Sequence, residues 1–169
     1  MEEWEFEDEI LVEASRREIF DYLAIPEKLV TFWPGVERIW DVKRESGGEC
    51  RFKWESRRVD GTLIHGTARD TEFVRDEVLT THGTGDAEAQ VTCRLSEVGP
   101  DIRVSIEMRL METSDVPEAL MKSHLREALV NLKMEVELER AERTHVGIER
   151  RRNWRYWCKH LTSFFQEYG

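Results

Sequence analysis

Residues 13–40 read EASRREIFDYLAIPEKLVTFWPGVERIW, and this stretch carries the signals that decide the fold. Ser15 and Glu18 stand three residues apart in the pattern of a capping box, so a short helix is predicted to begin there and to end before Pro26. A second short helix is predicted from Pro26 to about Phe32, where a Pro-Gly turn follows. Two short helices therefore divide a short N-terminal segment from the rest of the chain.

The segments on either side of the two helices alternate apolar and polar residues, as strands do. Residues 3–12 form the first of these strands. After the helices, turn signals recur about every 10 to 15 residues and divide the chain into six further strands. These signals are Gly47-Gly48, Asp60-Gly61, Arg75 to Glu77, Gly83 to Asp86 and Gly99-Pro100. The clearest alternation covers residues 87–95 and 102–110, and it predicts a sheet with one buried and one solvated face.

Beyond residue 115 the apolar residues take the spacing of a long helix. This stripe comprises Met121, Leu125, Ala128, Leu129, Leu132 and Val136. A second amphipathic stripe follows, with Trp154, Trp157, Leu161, Phe164 and Phe165. One strand, two short helices, six strands and a long helix make an α+β layout, in which the long helix must cover the apolar face of a seven-stranded antiparallel sheet. This layout predicts a helix-grip fold.

Length and composition limit the class of protein. The chain has 169 residues, of which 40% are hydrophobic and 36% are charged, and this is typical of one globular domain. A formal net charge of -10 argues against binding to nucleic acid. No apolar run approaches the roughly 20 residues of a spanning helix, and the first residues lack the pattern of a secretion signal. The three cysteines are far apart, so no disulfide framework is predicted and a cytoplasmic location is expected.

Several stretches resemble the START-like SRPBCC superfamily. Residues 13–40 are similar to its opening, and residues 98–101 match its usual last hairpin. Residues 124–137, HLREALVNLKMEVE, resemble the long helix of its polyketide cyclase and dehydrase branch. The spacing of Trp154, Cys158, Leu161 and Phe165 is similar to that of the closing helix in its heat-shock-protein ATPase activator homologues.

The resemblance implies a helix-grip fold over nearly the whole chain. Residues 1–169 are expected to form a single START-like domain, with a core of residues 1–142 and an additional C-terminal helix in residues 143–169. The superfamily includes lipid carriers, cyclases and hydroxylase domains, so the resemblance is specific for the fold and not for one activity. A loosely wrapped helix leaves room for a small-molecule cavity between the sheet and the long helix.

The hairpin at Asp60-Gly61 allows the side chains of its two strands to be placed. If these two residues form the loop, the facing pairs are Phe52 with Arg69, Trp54 with Thr67 and Ser56 with His65. The other face of the first strand carries four charged residues, so these six side chains are predicted to point toward the long helix. An inward His and Arg is unexpected in a plain core and has two explanations: the sheet opens there and Arg69 reaches solvent past its apolar stem, or the two residues line a pocket or a water-filled entrance.

Candidate ligand contacts are taken from this wall, from the neighbouring strands and from the long helix. They are Trp40, Phe52, Trp54, Ser56, His65, Thr67, Arg69, Met108, Met121, His124 and Leu125. For His124 the alternative is a hydrogen-bonded position at the edge of the core. No spacing of His, Cys, Asp and Glu predicts a metal site, and no motif predicts a cofactor.

Three functions are compatible with these residues. The leading hypothesis is a non-catalytic or weakly catalytic domain that binds a hydrophobic or amphipathic small molecule in the cavity. One alternative is a cyclase- or dehydratase-like enzyme acting on a carbonyl-bearing substrate, in which His65 moves protons and Arg69 stabilises an enolate. The other alternative, suggested by the similarity of the last helix, is a chaperone-associated interaction protein.

The stripe in residues 148–169 has three alternative partners. It packs on its own domain, forms a homodimer contact, or lies on a membrane surface. The net charge of the chain disfavours membrane contact, because anionic lipid would repel it.

Overall fold

One antiparallel sheet of seven strands forms the framework of the protein. The computed structural model describes residues 3–111 and 117–143. The strands are β1 (Trp4–Val12), β2 (Val36–Arg44), β3 (Cys50–Arg57), β4 (Leu63–Val74), β5 (Val78–Gly85), β6 (Ala89–Val98) and β7 (Asp101–Leu110). They lie in the order β1-β7-β6-β5-β4-β3-β2, so β2 to β7 pair in chain order and β1 pairs with β7.

Two short helices connect β1 to β2, and one long helix follows β7. They are α1 (Arg16–Leu23), then a 3₁₀ turn (Pro26–Lys28) that continues into α2 (Leu29–Phe32), and finally α3 (Glu118–Arg143). The predicted capping box opens α1: the Ser15 hydroxyl accepts a hydrogen bond from the Glu18 N–H (3.1 Å), and the Glu18 carboxylate accepts one from the Ser15 N–H (3.2 Å). The predicted α+β helix-grip fold is confirmed.

The long helix α3 covers the apolar face of the sheet on the side of β1. Its buried residues are Leu125, Ala128, Leu129, Leu132 and Val136, all of them in the predicted stripe. The helix packs mainly against β1 and also contacts β7, α1 and α2. Arg126 and Lys133 donate hydrogen bonds to the backbone oxygens of Glu9 and Leu11, each at 2.9 Å. These bonds fix the helix along the edge of the sheet.

Buried apolar residues form two clusters on the inner face, which is the face that α3 covers in part. The main core cluster joins α1 and α3 to β1, β6 and β7, and Phe20, Ile106 and Leu129 are almost fully buried in it. The β3–β4 cluster consists of Cys50, Phe52 and Ala68, with Leu29, Ile39, Val42 and Trp54 packed against it. The inner face is therefore filled most densely on the side of β1 and β7.

The predicted C-terminal helix in residues 143–169 lies, apart from Arg143, outside the described residues. The helix itself, its homodimer contact and the division of the chain at residue 142 stay predictions. Within residues 3–111 and 117–143, no helix is long and apolar enough to cross a membrane.

The hairpin between β3 and β4 differs from the prediction by one residue. Gly61 donates its backbone N–H to the oxygen of Arg58 (2.9 Å), and Arg58 donates to the oxygen of Thr62 (2.8 Å), so the loop comprises residues 59–61. Gly61 has a φ of +87°, the left-handed conformation that closes a three-residue loop built on a type I turn. A two-residue type I′ loop also needs positive φ at Asp60, which the structure does not have. The predicted two-residue loop is therefore wrong.

One extra residue in the loop moves every side chain of β4 to the opposite face. The observed pairs include Phe52 with Ala68, Trp54 with Gly66 and Ser56 with Ile64. The prediction that His65, Thr67 and Arg69 point inward is wrong. They lie on the outer face of the sheet, beside the charged residues of β3, and β4 turns Ile64, Gly66, Ala68 and Asp70 inward.

Candidate functional site

A pocket of about 250 Å³ lies on the inner face of the sheet, between the short helices and strands β2 to β6. From the helices and the turn after them it is lined by Leu23, Ala24, Pro26, Leu29, Phe32 and Trp33. From the sheet it is lined by Val36, Ile39, Phe52, Trp54, Ser56, Ile64, Ala68, Asp70, Leu79, Thr81, Gly83, Ala89, Val91 and Cys93, with Ala87 from the turn before β6. No residue of α3 is among them, so the pocket lies beside the long helix and not beneath it.

Three of the predicted ligand contacts line this pocket: Phe52, Trp54 and Ser56. The predicted contacts from the long helix do not. Leu125 is 1% exposed in the main core cluster, Met121 packs against that cluster, and His124 is half-buried on α3 outside the pocket. Met108 of β7 is also a core residue. The reason is the position of α3. It lies over β1 at one edge of the sheet, whereas the pocket lies on the same face over strands β2 to β6.

Trp40 lies on the outer face of β2, between two irregularities of the strand, one between Val36 and Arg38 and one between Trp40 and Lys43. Trp40 pairs with Lys53 and Lys43 with Arg51, so two residues of β2 oppose Phe52 alone. Asp41, at the bulge, has a φ of +53°. Before the bulge Ile39 faces inward and Trp40 outward, where the Arg38 guanidinium stacks over its ring at 4.5 Å from the centroid. An irregularity of this kind breaks the alternation on which a facing prediction depends.

The histidines of β4 and β5 form polar contacts on the outer face. His65 Nε2 lies 2.8 Å from a carboxylate oxygen of Glu55, and its Nδ1 lies 3.9 Å from Asp86. His82 Nε2 lies 3.0 Å from Glu88. Among residues 3–111 and 117–143, no group of three or more His, Cys, Asp and Glu side chains is arranged to hold a metal ion. These contacts are exposed ion pairs or hydrogen bonds, which contribute little stability at a surface.

Asp70 lines the pocket from β4 and was not among the predicted ligand contacts. One carboxylate oxygen accepts a hydrogen bond from the backbone N–H of Cys50 (2.9 Å), and the other accepts one from the Thr81 hydroxyl (2.8 Å). The sequence contains a signal for this orientation, because Ile64, Gly66 and Ala68 are the apolar or small positions of β4 and Asp70 continues their alternation. The prediction of a two-residue loop at Asp60-Gly61 placed Asp70 on the outer face instead.

The electrostatic surroundings of Asp70 are mixed. Burial raises the pKa of its carboxyl group, while the two hydrogen bonds and the nearby Arg44 guanidinium act to lower it and Glu49 acts to raise it. Arg44 is held in place by hydrogen bonds to the backbone oxygens of Ala24 (2.9 Å) and Gly48 (2.8 Å). Burial also raises the pKa of the Cys93 thiol to about 12, so this neighbour in the pocket stays neutral.

Trp54 forms one end of the pocket by lying across glycines of the two next strands. Its indole Nε1 donates a hydrogen bond to the backbone oxygen of Thr67 (3.2 Å). A Cβ atom added at Gly66 would come within 2.7 Å of the ring, whereas one added at Gly83 would lie 3.5 Å from Nε1, an ordinary contact. Glycine at position 66 is therefore what allows the ring to lie flat on the sheet.

The raised pKa of Asp70 gives a prediction about pH. Because the folded state holds the proton more tightly than the unfolded state, the contribution of Asp70 to stability is greatest below the ordinary aspartate pKa of 3.8 and is lost as the pH rises through the raised pKa. Asp70→Asn mimics the protonated form with nearly the same shape. We expect its free energy of unfolding, relative to the wild type, to increase as the pH rises through this window, in urea denaturation at a series of pH values.

Asp60→Asn is the matched control, because the pKa of Asp60 is shifted in the opposite direction to that of Asp70. The pKa of Asp60 is lowered by hydrogen bonds from Thr62, so its contribution is present above the ordinary pKa and is lost as the pH falls. We expect the difference in free energy of unfolding between this exposed variant and the wild type to disappear in acid. An Asp70→Asn variant that is less stable than the wild type at neutral pH, and recovers in acid, would contradict the argument.

Solved structures of other proteins share this fold. The chain is similar to the Zhui aromatase/cyclase from Streptomyces sp. R1128, with 14% identity, a TM-score of 0.70 and coverage of 87% of this chain and 100% of that one. It is similar to a START superfamily protein from Mycobacterium smegmatis, with 16% identity, a TM-score of 0.62 and coverage of 83% and 98%. For the protein TTHA0849 from Thermus thermophilus the values are 17% identity, a TM-score of 0.65 and coverage of 78% and 96%. At these identities the likeness shows the fold alone.

The sequence itself matches one family. No curated protein matches the chain. The model of the family described as Activator of Hsp90 ATPase homolog 1-like protein matches residues 13–137, which run from the turn before α1 into α3. The predicted START-like SRPBCC resemblance is thereby confirmed, and the chain belongs to the family of Activator of Hsp90 ATPase homolog 1-like proteins.

Proposed function

We propose that the protein binds a hydrophobic or amphipathic small molecule in the pocket between its short helices and strands β2 to β6. The observation that carries this proposal is a pocket of about 250 Å³ whose lining is apolar except for a few polar groups, chiefly Asp70, Thr81 and Ser56. Ligand sites for small molecules have this composition, since apolar walls supply affinity and a few polar groups fix orientation.

The residues of the pocket are distributed in a way that favours an occupant. Small residues of the sheet contribute to the lining: Ala68, Gly83 and Ala89. Aromatic residues contribute to it as well, with Phe32 at the end of α2, Trp33 after it, and Phe52 and Trp54 from β3. Small residues leave space that no side chain of the lining fills, and aromatic residues offer large apolar contact areas. A ligand with a flat apolar body fits this arrangement.

The proposed activity is binding without a catalytic step. The enzyme alternative depended on His65 and Arg69, and both lie on the outer face, away from the pocket lining. With these two residues outside the pocket, the cyclase-like hypothesis has no support from its own candidate groups. The chaperone-associated role stays a prediction.

Binding is tested with the neutral fluorescent probe N-phenyl-1-naphthylamine. We expect saturable enhancement of probe fluorescence with the wild type, and an increase of at least about tenfold in Kd for Ala89→Leu, because the added side chain would occupy the pocket. Ala89 is half-buried, so a larger side chain has room to enter without displacing the core.

The matched control is Gln90→Leu, which adds a leucine at the next position of β6 but on the outer face, opposite His82. This variant should bind the probe as the wild type does. An equal Kd for Ala89→Leu and the wild type would place the probe elsewhere, and failure of both N-phenyl-1-naphthylamine and Nile red to bind the wild type would overturn the proposed function.

A further inference from the structure

We propose that Asp70 makes the pocket selective for ligands that carry a neutral hydrogen-bond donor, such as an alcohol or a phenol, and that it excludes ligands ending in a carboxylate. This inference rests on the proposed function and names the chemical class of the ligand.

The polar groups around Asp70 leave only acceptors for a ligand. A carboxylate has about four acceptor positions, and the Cys50 N–H and the Thr81 hydroxyl occupy one on each oxygen. Thr81 also lines the pocket and gives its only hydroxyl proton to Asp70, so its oxygen can offer a ligand only an acceptor. The pair therefore lacks a proton to give while Asp70 is ionised, and a ligand must bring its own.

The charges around the pocket argue against an anionic ligand. Among the lining residues that fall within 3–111 and 117–143, Asp70 is the only acidic group and no Lys, Arg or His occurs. A carboxylate placed beside Asp70 would meet a like charge in a site of low polarity, which is strongly unfavourable. A fatty acid that buries its head group there is therefore excluded.

The nearby guanidinium argues against a cationic ligand as well. Arg44 is not among the lining residues but acts electrostatically on Asp70, and two of its N–H groups donate to the backbone oxygens of Gly48 and Ala24. Its positive charge acts on the same carboxylate that an ammonium group would approach. An ammonium group would therefore gain less there than beside an isolated carboxylate, and it would lose its hydration on entering the apolar pocket. A neutral donor gains a charge-assisted hydrogen bond at a smaller desolvation cost.

The test compares probes that share a naphthalene ring and differ in one substituent. Kd values are measured by quenching of tryptophan fluorescence, with calorimetry as a second method, for 2-naphthol, 2-methylnaphthalene, 2-naphthoate and 2-naphthylmethylammonium. For the wild type we expect 2-naphthol to bind at least about tenfold more tightly than 2-methylnaphthalene, as a hydrogen bond to a charged acceptor would give. The two ionic probes should bind more weakly than the hydrocarbon.

The variant Asp70→Asn separates selectivity from folding. Its amide oxygen still accepts from the Cys50 N–H, and its amide nitrogen now offers a donor on the side of Thr81. We expect the preference for 2-naphthol over 2-methylnaphthalene to fall to about twofold or less, and 2-naphthoate to bind more tightly than it does to the wild type. Asp60→Asn, on the exposed hairpin loop, should keep the wild-type order, and thermal unfolding establishes that each variant is folded.

Each outcome distinguishes this inference from the proposed function. Equal binding of all four probes by the wild type would overturn the selectivity and leave ligand binding intact. Tightest binding of the ammonium probe would show that the site recognises positive charge, which also overturns it. If Asp70→Asn weakens every probe by the same factor, Asp70 only supports the pocket wall, and the selectivity is overturned. Absence of binding by every naphthalene probe and by N-phenyl-1-naphthylamine would overturn the proposed function itself.

Discussion

Leu129→Ala is expected to lower the free energy of unfolding by about 2–5 kcal/mol, the range for removing a fully buried leucine side chain. Leu129 is 0% exposed in the main core cluster, where α3 packs against the sheet and the short helices. The truncation removes apolar contacts and leaves a cavity that dense packing on all sides prevents from closing. For a chain of this length each kcal/mol corresponds to roughly 2–4 °C in Tm, so calorimetry or urea denaturation measures the loss readily.

Glu127→Ala is the matched control on the same helix. Glu127 is exposed two positions earlier, and alanine is at least as good a helix former, so its effect should stay within about 0.5 kcal/mol. A loss below about 1 kcal/mol for Leu129→Ala would be inconsistent with α3 as the helix that the sheet holds.

Gly66→Ala is expected to lower the free energy of unfolding by about 1–3 kcal/mol, as overpacking does, and to change the environment of Trp54. The added Cβ would overlap both the backbone oxygen of Thr84 and the indole ring, which lies within 2.7 Å of its position. Displacement of the ring relieves the second overlap, but the overlap with Thr84 is relieved only if the paired backbone of β4 and β5 also shifts, which is costly. A shift in tryptophan emission should therefore accompany the loss of stability.

Gly83→Ala tests the same substitution on the same face, one strand further along. Its Cβ would lie 3.5 Å from the Trp54 Nε1 and 3.9 Å from two backbone oxygens, all ordinary contacts. Alanine also restricts the unfolded chain, which stabilises a protein by about 0.4–1 kcal/mol where the native conformation accepts it. We expect a change of no more than about 1 kcal/mol in either direction. Equal losses for the two variants would mean that the ring does not lie against Gly66 in solution.

The elements of the fold could be predicted because their signals are local. The capping box of Ser15 and Glu18 fixes the start of α1 within one turn, and the stripe that contains Leu129 marks the buried face of α3 without reference to any other element. Alternation along β6 and β7 likewise indicates which residues are buried. Such patterns are the same in every arrangement that buries one face of each element, so they are visible without knowledge of how the elements pack.

The candidate site could be predicted only in part, because it depends on how strands are registered against each other. A three-residue loop at 59–61 in place of a two-residue loop moved His65 and Arg69 outward and Asp70 inward. Two irregularities of β2, on either side of Trp40, break the alternation that would show which face this residue occupies. Each change is a matter of one residue, and the only trace in the sequence is the weak alternation of Ile64, Gly66 and Ala68 in β4.

On the inner face, the packing of α3 and the lining of the pocket depend on partly different elements. α3, β1 and β7 belong to the main core cluster, whereas the pocket is built on strands β2 to β6 and the short helices. Exchanges among half-buried lining residues such as Ile64 and Ala89, which belong to neither cluster, can alter the shape of the pocket while that packing stays intact. A protein arranged in this way can acquire new ligand preferences by successive substitutions without falling below the stability it needs to fold.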